Sequence, residues 1–467
     1  MAQSKQNYTI PLITLTSLFF MWGFITSMND ILIPHLRSLF KLSYTQSMLV
    51  QFCFFGAYFI GSVIYFMISH FKGDPINKIG YKNGILLGLL ISAIGCGLFY
   101  PAATLSVYGV FLIALFTLGL GFTLLQIAAN AYVSLLGSEE TASSRLNLTQ
   151  GFNSFGTTIA PVLGGYMILE FFADKGQISA NSTKIPYLIF AALFLLLGVI
   201  IYLVKLPVFT TEEITDKGLG ALKFPQLKRG IFGIFFYVGG EVAIGSFIII
   251  FLKQSNIAGL SEAVSKNFLA LYWGGAMIGR FIGAISLSQG LSTAKKLIYM
   301  TGTSIIVFVL ILSIVNLTFA DIYPYLGFML LNLIGFVIGK SAAARTLFIF
   351  AIINIVLVAS AVFMTGHFAM WALIGIGIFN SIMYSNIYTL SIAGLGKYTS
   401  QGSSLLVMAI LGGAVIPVIQ GAFADSIGIQ NAMIIPLICY VYIAYFGYYC
   451  WKHINTSLLE HKKVAGH

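Results

Sequence analysis

The chain is a succession of long apolar blocks separated by short polar turns. Each block runs for about 18–25 residues, the length an α-helix needs to cross a bilayer. Within the blocks the apolar residues are continuous. No stretch alternates apolar with polar positions, as the strands of an outer-membrane barrel do. Read in order, the blocks give about fourteen spans, the first near residues 10–36 and the last near 432–452. The pattern therefore predicts an all-α polytopic membrane protein.

Composition narrows the function classes. Only 8% of residues are charged and 58% are hydrophobic, against about 25% charged in water-soluble domains. A soluble enzyme is excluded by that balance. The net charge of +11 does not point to nucleic acid, because the basic residues are scattered between apolar blocks as membrane topology requires. With the N-terminus placed inside, Lys72, Lys78, Arg145, Lys228, Arg229, Arg280, Lys295, Lys340 and both tails fall on the cytoplasmic side. Arg37, Lys41, Lys175, Lys184, Lys253 and Lys266 fall outside. The expectation is an inner (plasma) membrane protein, lipid on its outer surface, with both termini cytoplasmic. The opening "MAQSKQNYTIPL" has no small-residue cleavage site, so no signal peptide is expected. Cys53, Cys96, Cys439 and Cys450 lie inside apolar blocks without paired spacing, and read as small core hydrophobes.

The chain repeats itself. At a shift of 256 residues Gly119 meets Gly375, Asn130 meets Asn386, Tyr132 meets Tyr388, Gly156 meets Gly412 and Pro161 meets Pro417. At the start of each half, "FFMWG" (19–23) meets "FFYVG" (235–239) at a shift of only 216. The difference of 40 residues is about two helices with their turns. An extra hairpin, residues 292–340, is therefore expected between the partners of spans two and three. The domain reading is a six-helix bundle over 1–205, a cytoplasmic linker over 206–229, and a second bundle over 230–467 that carries the hairpin.

Parallel six-helix repeats joined by a cytoplasmic linker resemble the major facilitator superfamily, whose substrate path lies between the halves near the bilayer midplane. The stretches "FFMWGFITSMNDILIPHL", "LLQIAANAYVSLLG", "SRLNLTQGFNSFGTTIAPVLGG", "YVGGEVAIGSF", "GAMIGRFIGA" and "GKYTSQGSSLLVMAILGGAVIPVIQG" resemble the fucose–proton symporter family, in particular its bacterial glucose/galactose branch. The resemblance spans nearly the whole chain outside the hairpin. It implies that Asp30, in the N-D-I-L motif, is the proton-coupling carboxylate, and that Gln150 and Asn153 contact sugar. A family carboxylate on the fourth helix is replaced here by Gln126. The family's F-N-S-I-M-F-P reads "FNSIMYSN" in this chain, without the proline.

The residues can also be weighed on their own chemistry. A carboxylate at membrane depth costs about 2.5–3.5 kcal/mol on insertion scales, so Asp30 and Glu241 are the candidates for cation coupling. Asn29 stands beside Asp30. Gln126 and Asn130 share a helical face, as do Gln150 and Asn153. Amides offer a donor and an acceptor without a charge, which suits sugar hydroxyls and equally suits contacts between helices. Asn380 and Tyr384, spaced i and i+4, are placed opposite in the second half. Arg145 and Arg280 are read as gating or anchoring residues at the inner face. No catalytic group, metal site or cofactor is expected, and no lysine follows the glycine-rich runs with P-loop spacing.

The expected function is secondary active import of a neutral monosaccharide (a hexose such as glucose or galactose, or fucose) by a monomeric cation symporter. H⁺ is the expected coupling ion and Na⁺ the alternative. A multidrug exporter and a sugar sensor that does not transport are the readings from other classes.

Overall fold

The computed structural model describes residues 8–72, 75–136, 142–173, 179–207, 220–286, 291–340, 342–395 and 399–464. The side chains of some helical stretches, 142–147 with Arg145 and 454–464 among them, lie outside that description. All regular structure among the described residues is helical. The principal helices are α1 (Thr9–Phe40), α2 (Leu49–Lys72), α3 (Tyr81–Leu105), α4 (Tyr108–Leu135), α5 (Ala142–Tyr166), α6 (Lys184–Leu203), α7 (Pro225–Leu252), α8 (Glu262–Ser286), α9 (Thr293–Ile314), α10 (Pro324–Gly339), α11 (Ala343–Phe363), α12 (Gly366–Ile392), α13 (Leu405–Ile427) and α14 (Ile429–His453).

Twelve of these helices are long and apolar enough to cross a membrane. The other two are α5 and α10. Helix α5 has 25 residues, but its first half, "ASSRLNLTQGFN", is polar. Helix α10 has 16 residues, about 24 Å of helix against a hydrocarbon core of about 30 Å. Proline opens both α7 and α10, where its fixed φ suits the first turn and its missing N–H costs nothing. For α7 this sets the start at Pro225, five residues before the apolar block expected from 230.

The chain forms two compact units, Met1–Leu42 with Leu49–Lys217, and Ser43–Met48 with Gly218–His467. Residues 208–219, half of the expected linker, lie outside the described residues. The segment 43–48 departs from the sequence reading, which assigned it to the first bundle. It belongs with the second unit because Asp425 on α13 accepts from the Tyr44 amide at 2.8 Å, the Thr45 amide at 2.9 Å and the Thr45 hydroxyl at 2.6 Å.

Each unit contains a tight helix seam at an equivalent place in the repeat. In the first, a Cβ on Gly23 of α1 would strike the backbone of Asn153 on α5, and a Cβ on Gly156 would strike the carbonyl of Phe20. In the second, a Cβ on Gly412 of α13 would strike the carbonyl of Phe235 on α7, and one on Gly239 would strike Ile416. Small residues let membrane helices approach to backbone contact, where dispersion does the work that water exclusion does elsewhere. Gly23 and Gly239 are the shift-216 pair, Gly156 and Gly412 the shift-256 pair, so the repeat is one of packing as well as of letters.

The inserted hairpin is α9 and α10. Among the described residues only a short helix, Pro75–Ile79, lies between α2 and α3 in the first unit, whereas α8 and α11 are separated by α9 and α10 in the second. Helix α9 packs on α8, and α10 on α11 and α12. The apolar window of α9 is 28% buried, against 83% in α7, and Ile298, Ile306, Leu330 and Val337 are exposed. The hairpin is therefore peripheral to its own unit and α7 is central.

Candidate functional site

In the first unit two contacts set α1 against α2. Trp22 Nε1 donates to Tyr58 Oη at 3.0 Å. Two turns further along α1, Asp30 Oδ1 accepts from Gln51 Nε2 at 3.1 Å. Asn29 Nδ2 donates to Gln51 Oε1 at 3.3 Å, so one glutamine bridges two neighbouring residues of α1. All three side chains are buried. Asn29 Oδ1 has no hydrogen-bond partner among the described residues. A carboxylate taken out of water needs donors around it, and an amide supplies one without adding a second charge to desolvate.

Gln126 lies on α4, buried, and its Oε1 is also without a partner among the described residues. Phe122, one turn earlier on the same helix, faces the Trp22 ring at 6.4 Å. That contact turns the Gln126 face of α4 toward α1. Asn130 instead donates along its own helix, to the Gln126 carbonyl at 3.1 Å. Asn153 Nδ2 donates to the Phe19 carbonyl at 3.0 Å across the α1–α5 seam, so its amide stitches helices together. Gln150 is half-buried. Arg145 lies outside the described side chains.

In the second unit Glu241 sits in the middle of α7. Its Oε1 is 2.7 Å from Tyr237 Oη, and that hydroxyl is 3.1 Å from the Asn380 carbonyl. Tyr272 Oη donates to the Glu241 carbonyl at 3.1 Å and accepts from Asn380 Nδ2 at 2.9 Å. Asn380 Oδ1 accepts from Tyr440 Oη at 2.8 Å and from Asn354 Nδ2 at 2.9 Å. Arg280 Nε donates to the Ser381 carbonyl at 3.4 Å.

Asn380 and Tyr384 do not share the face of a continuous helix. Helix α12 is interrupted between segments Gly366–Asn380 and Met383–Ile392. Asn380 turns into the buried network, and the Tyr384 ring stands 6.4 Å from that of Tyr237 and 6.2 Å from that of Tyr388. The break exposes carbonyls that a continuous helix would use itself, and Tyr237 and Arg280 meet them. Asn386 donates to the Ala343 carbonyl at 3.1 Å, which ties α12 to α11.

Sequence reasoning missed Gln51, Tyr58, Tyr237, Tyr272, Asn354 and Tyr440. Gln51 and Asn354 could have been found as lone amides inside the runs "MLVQFCFFG" and "FAIINIVLV". The tyrosines could not, because 24 of them are spread along the chain and a ring with a polar tip suits core and interface alike.

Comparison with known proteins bears on this geometry. The sequence profile of the Major Facilitator Superfamily matches residues 15–348. The glucose/galactose transporter of Brucella abortus is 45% identical over 448 residues, covering 95% of each chain. The L-fucose-proton symporter of Escherichia coli is 31% identical, over 96% of this chain and 94% of that protein. The crystal structure of the transporter FucP in its outward conformation superposes with a TM-score of 0.65 at 29% identity, over 95% of this chain and 99% of that one.

Proposed function

The chain belongs to the major facilitator superfamily, and on that premise we propose that it imports a neutral hexose with a proton by alternating access. The substrate class follows the glucose/galactose and fucose transporters to which it is similar over nearly its whole length. The observation that carries the mechanism is a carboxyl group within a helix of each unit, buried for Asp30 and half-buried for Glu241, in hydrogen-bond contact with a neutral group: Asp30 with Gln51, and Glu241 with Tyr237.

Glu241 is suited to hold a proton. Tyr237 has one hydroxyl hydrogen and two acceptors in reach, the Glu241 carboxyl and the Asn380 carbonyl. With a proton on Glu241, the chain from carboxyl to Tyr237 to Asn380 serves every group. Without it, one acceptor goes unserved. Asp30 is suited to load and release the coupling ion, because its donor is an amide that can serve either protonation state. Gln126, with a buried oxygen unpartnered among the described residues, Asn29 and the half-buried Gln150 are the amides we assign to sugar hydroxyls. Asn130, Asn153, Asn380 and Tyr384 shape and hold that site. Arg280 and Arg145 act at the inner gate.

The protein works in the plasma membrane as a monomer surrounded by lipid, with both termini cytoplasmic and no cofactor beyond the coupling ion. Each proton moving inward down a potential releases about 2.3 kcal/mol per 100 mV. Asp30→Asn keeps size and polarity but cannot titrate. In proteoliposomes it is expected to lose uphill sugar accumulation driven by ΔpH while retaining sugar-for-sugar exchange. Glu241→Gln is the companion variant. If Asp30→Asn still concentrates sugar and Glu241→Gln does not, the coupling role passes to Glu241.

A further inference from the structure

We propose that Gln51 is a positioning residue that converts the protonation state of Asp30 into the hydrogen-bonding polarity of Asn29. The inference rests on Asp30 being the residue that carries the coupling proton.

In the observed arrangement Gln51 Nε2 faces Asp30 Oδ1, and Gln51 Oε1 faces Asn29 Nδ2. This is the arrangement an ionised Asp30 requires, since a carboxylate only accepts. It has a consequence at the far end of the chain. Asn29 spends its N–H₂ on Gln51, and its Oδ1 is left buried without a partner among the described residues.

A proton on Asp30 reverses the chain. The new O–H donates to Gln51 Oε1, and the Gln51 amide turns over. Its Nε2 then donates to Asn29 Oδ1, which turns over in its turn. The end of Asn29 turned away from Gln51 changes from acceptor to donor, and Oδ1 gains a partner. No bond other than Asp30 O–H forms, and the proton stays on Asp30. The turn is accessible because the terminal torsions of Gln and Asn are broad and roughly two-fold. Asn29 follows Met28 and precedes Asp30 on α1, so the switch reports one residue away from the titrating group.

Asp30 is the one carboxylate on α1, α2, α4, α5 and α6. The other titratable groups on these elements include Arg37 on α1, Cys53 on α2, Tyr108 on α4 and Arg145 on α5, the last outside the described side chains. His35 meets the Ser179 carbonyl and Ser182, and Tyr58 holds Trp22. Tyr132 donates to the Pro207 carbonyl, and Lys184 lies over the Tyr100 ring.

The test is equilibrium binding of radiolabelled D-galactose and D-glucose to the full-length protein in detergent, from about pH 5 to about pH 9. The wild type is expected to change affinity about five- to tenfold across that range, the effect of one neutral hydrogen bond. Gln51→Met keeps length and cannot hydrogen-bond. Asn29→Leu cuts the chain at its other end, which covers the case that one variant fails to fold. Either is expected to flatten the profile to within about twofold, as is Asp30→Asn. If Asp30→Asn flattens the profile while Gln51→Met and Asn29→Leu keep the wild-type slope, the relay is wrong and the role of Asp30 stands. If Asp30→Asn itself keeps the slope, both are overturned.

Discussion

Replacing Gly156 with alanine adds a single methyl at the point where α5 meets α1, and the structure gives its consequence with a sign. The new Cβ would strike the Phe20 carbonyl and come within 2.7 Å of the Phe24 nitrogen. Both are backbone atoms, so no side chain can rotate away and the helices must move apart. Overpacking of this kind costs about 1–3 kcal/mol, and two close contacts to the backbone of α1 place this site at the upper end. Alanine gives back about 0.5–1 kcal/mol of helix propensity, so the net expectation is a loss of about 2 kcal/mol. Gly302, inside α9, is the control, because a Cβ there meets nothing within 4 Å. Gly302→Ala keeps only the propensity gain and is expected to stabilise by about 0.5–1 kcal/mol. Thermal unfolding of the purified protein in detergent, the variants run at one scan rate, reads both. A Gly156→Ala protein as stable as the wild type would refute the close seam. Gly412→Ala, its repeat partner, should behave as Gly156→Ala does.

Two further outcomes follow from hydrogen bonds in the second unit. Asn380→Ala removes the partner of Tyr272, Tyr440 and Asn354 together. It is expected to cost about 3 kcal/mol or more in the same unfolding assay, against about 1 kcal/mol for Tyr440→Phe, which removes one arm. In the turn between α9 and α10, the Thr318 hydroxyl and amide hold the Asp321 carboxyl below the usual carboxylate range, at 2.6 and 2.8 Å. A lowered folded value means that its contribution is fully present above about pH 3.9 and is lost as pH falls through the folded value. Exchange of the Thr318 amide, corrected for its intrinsic rate, is therefore expected to speed only below about pH 3.9, and to be fast at every pH in Asp321→Ala.

The fold was legible wherever a single physical requirement dominated the sequence. Apolar length announced most of the helices, and repeated glycines located the seam because only glycine permits backbone contact. Asp30 and Glu241 stood out because a carboxylate in an apolar block has few structural uses. The polar partners did not, since tyrosine and isolated amides serve packing as readily as chemistry. The interruption of α12 at Ser381–Ile382 was hidden for another reason. Neither proline nor glycine marks it, and the groups that meet its freed carbonyls, Tyr237 and Arg280, lie on other helices. Segment 43–48 was misassigned likewise, because its partner Asp425 is some 380 residues away in the chain.

The measurement that bears most directly on the central claim is uptake of D-glucose, D-galactose and L-fucose by proteoliposomes under an imposed ΔpH, acid outside, with ΔpNa and no gradient as parallel arms. With one proton per sugar, each pH unit of gradient supports about tenfold accumulation. At least one of these sugars is expected to rise transiently above its external concentration under ΔpH, to collapse with a protonophore, and to remain at equilibrium under ΔpNa alone. Equal internal and external concentrations of all three sugars under ΔpH would contradict the account.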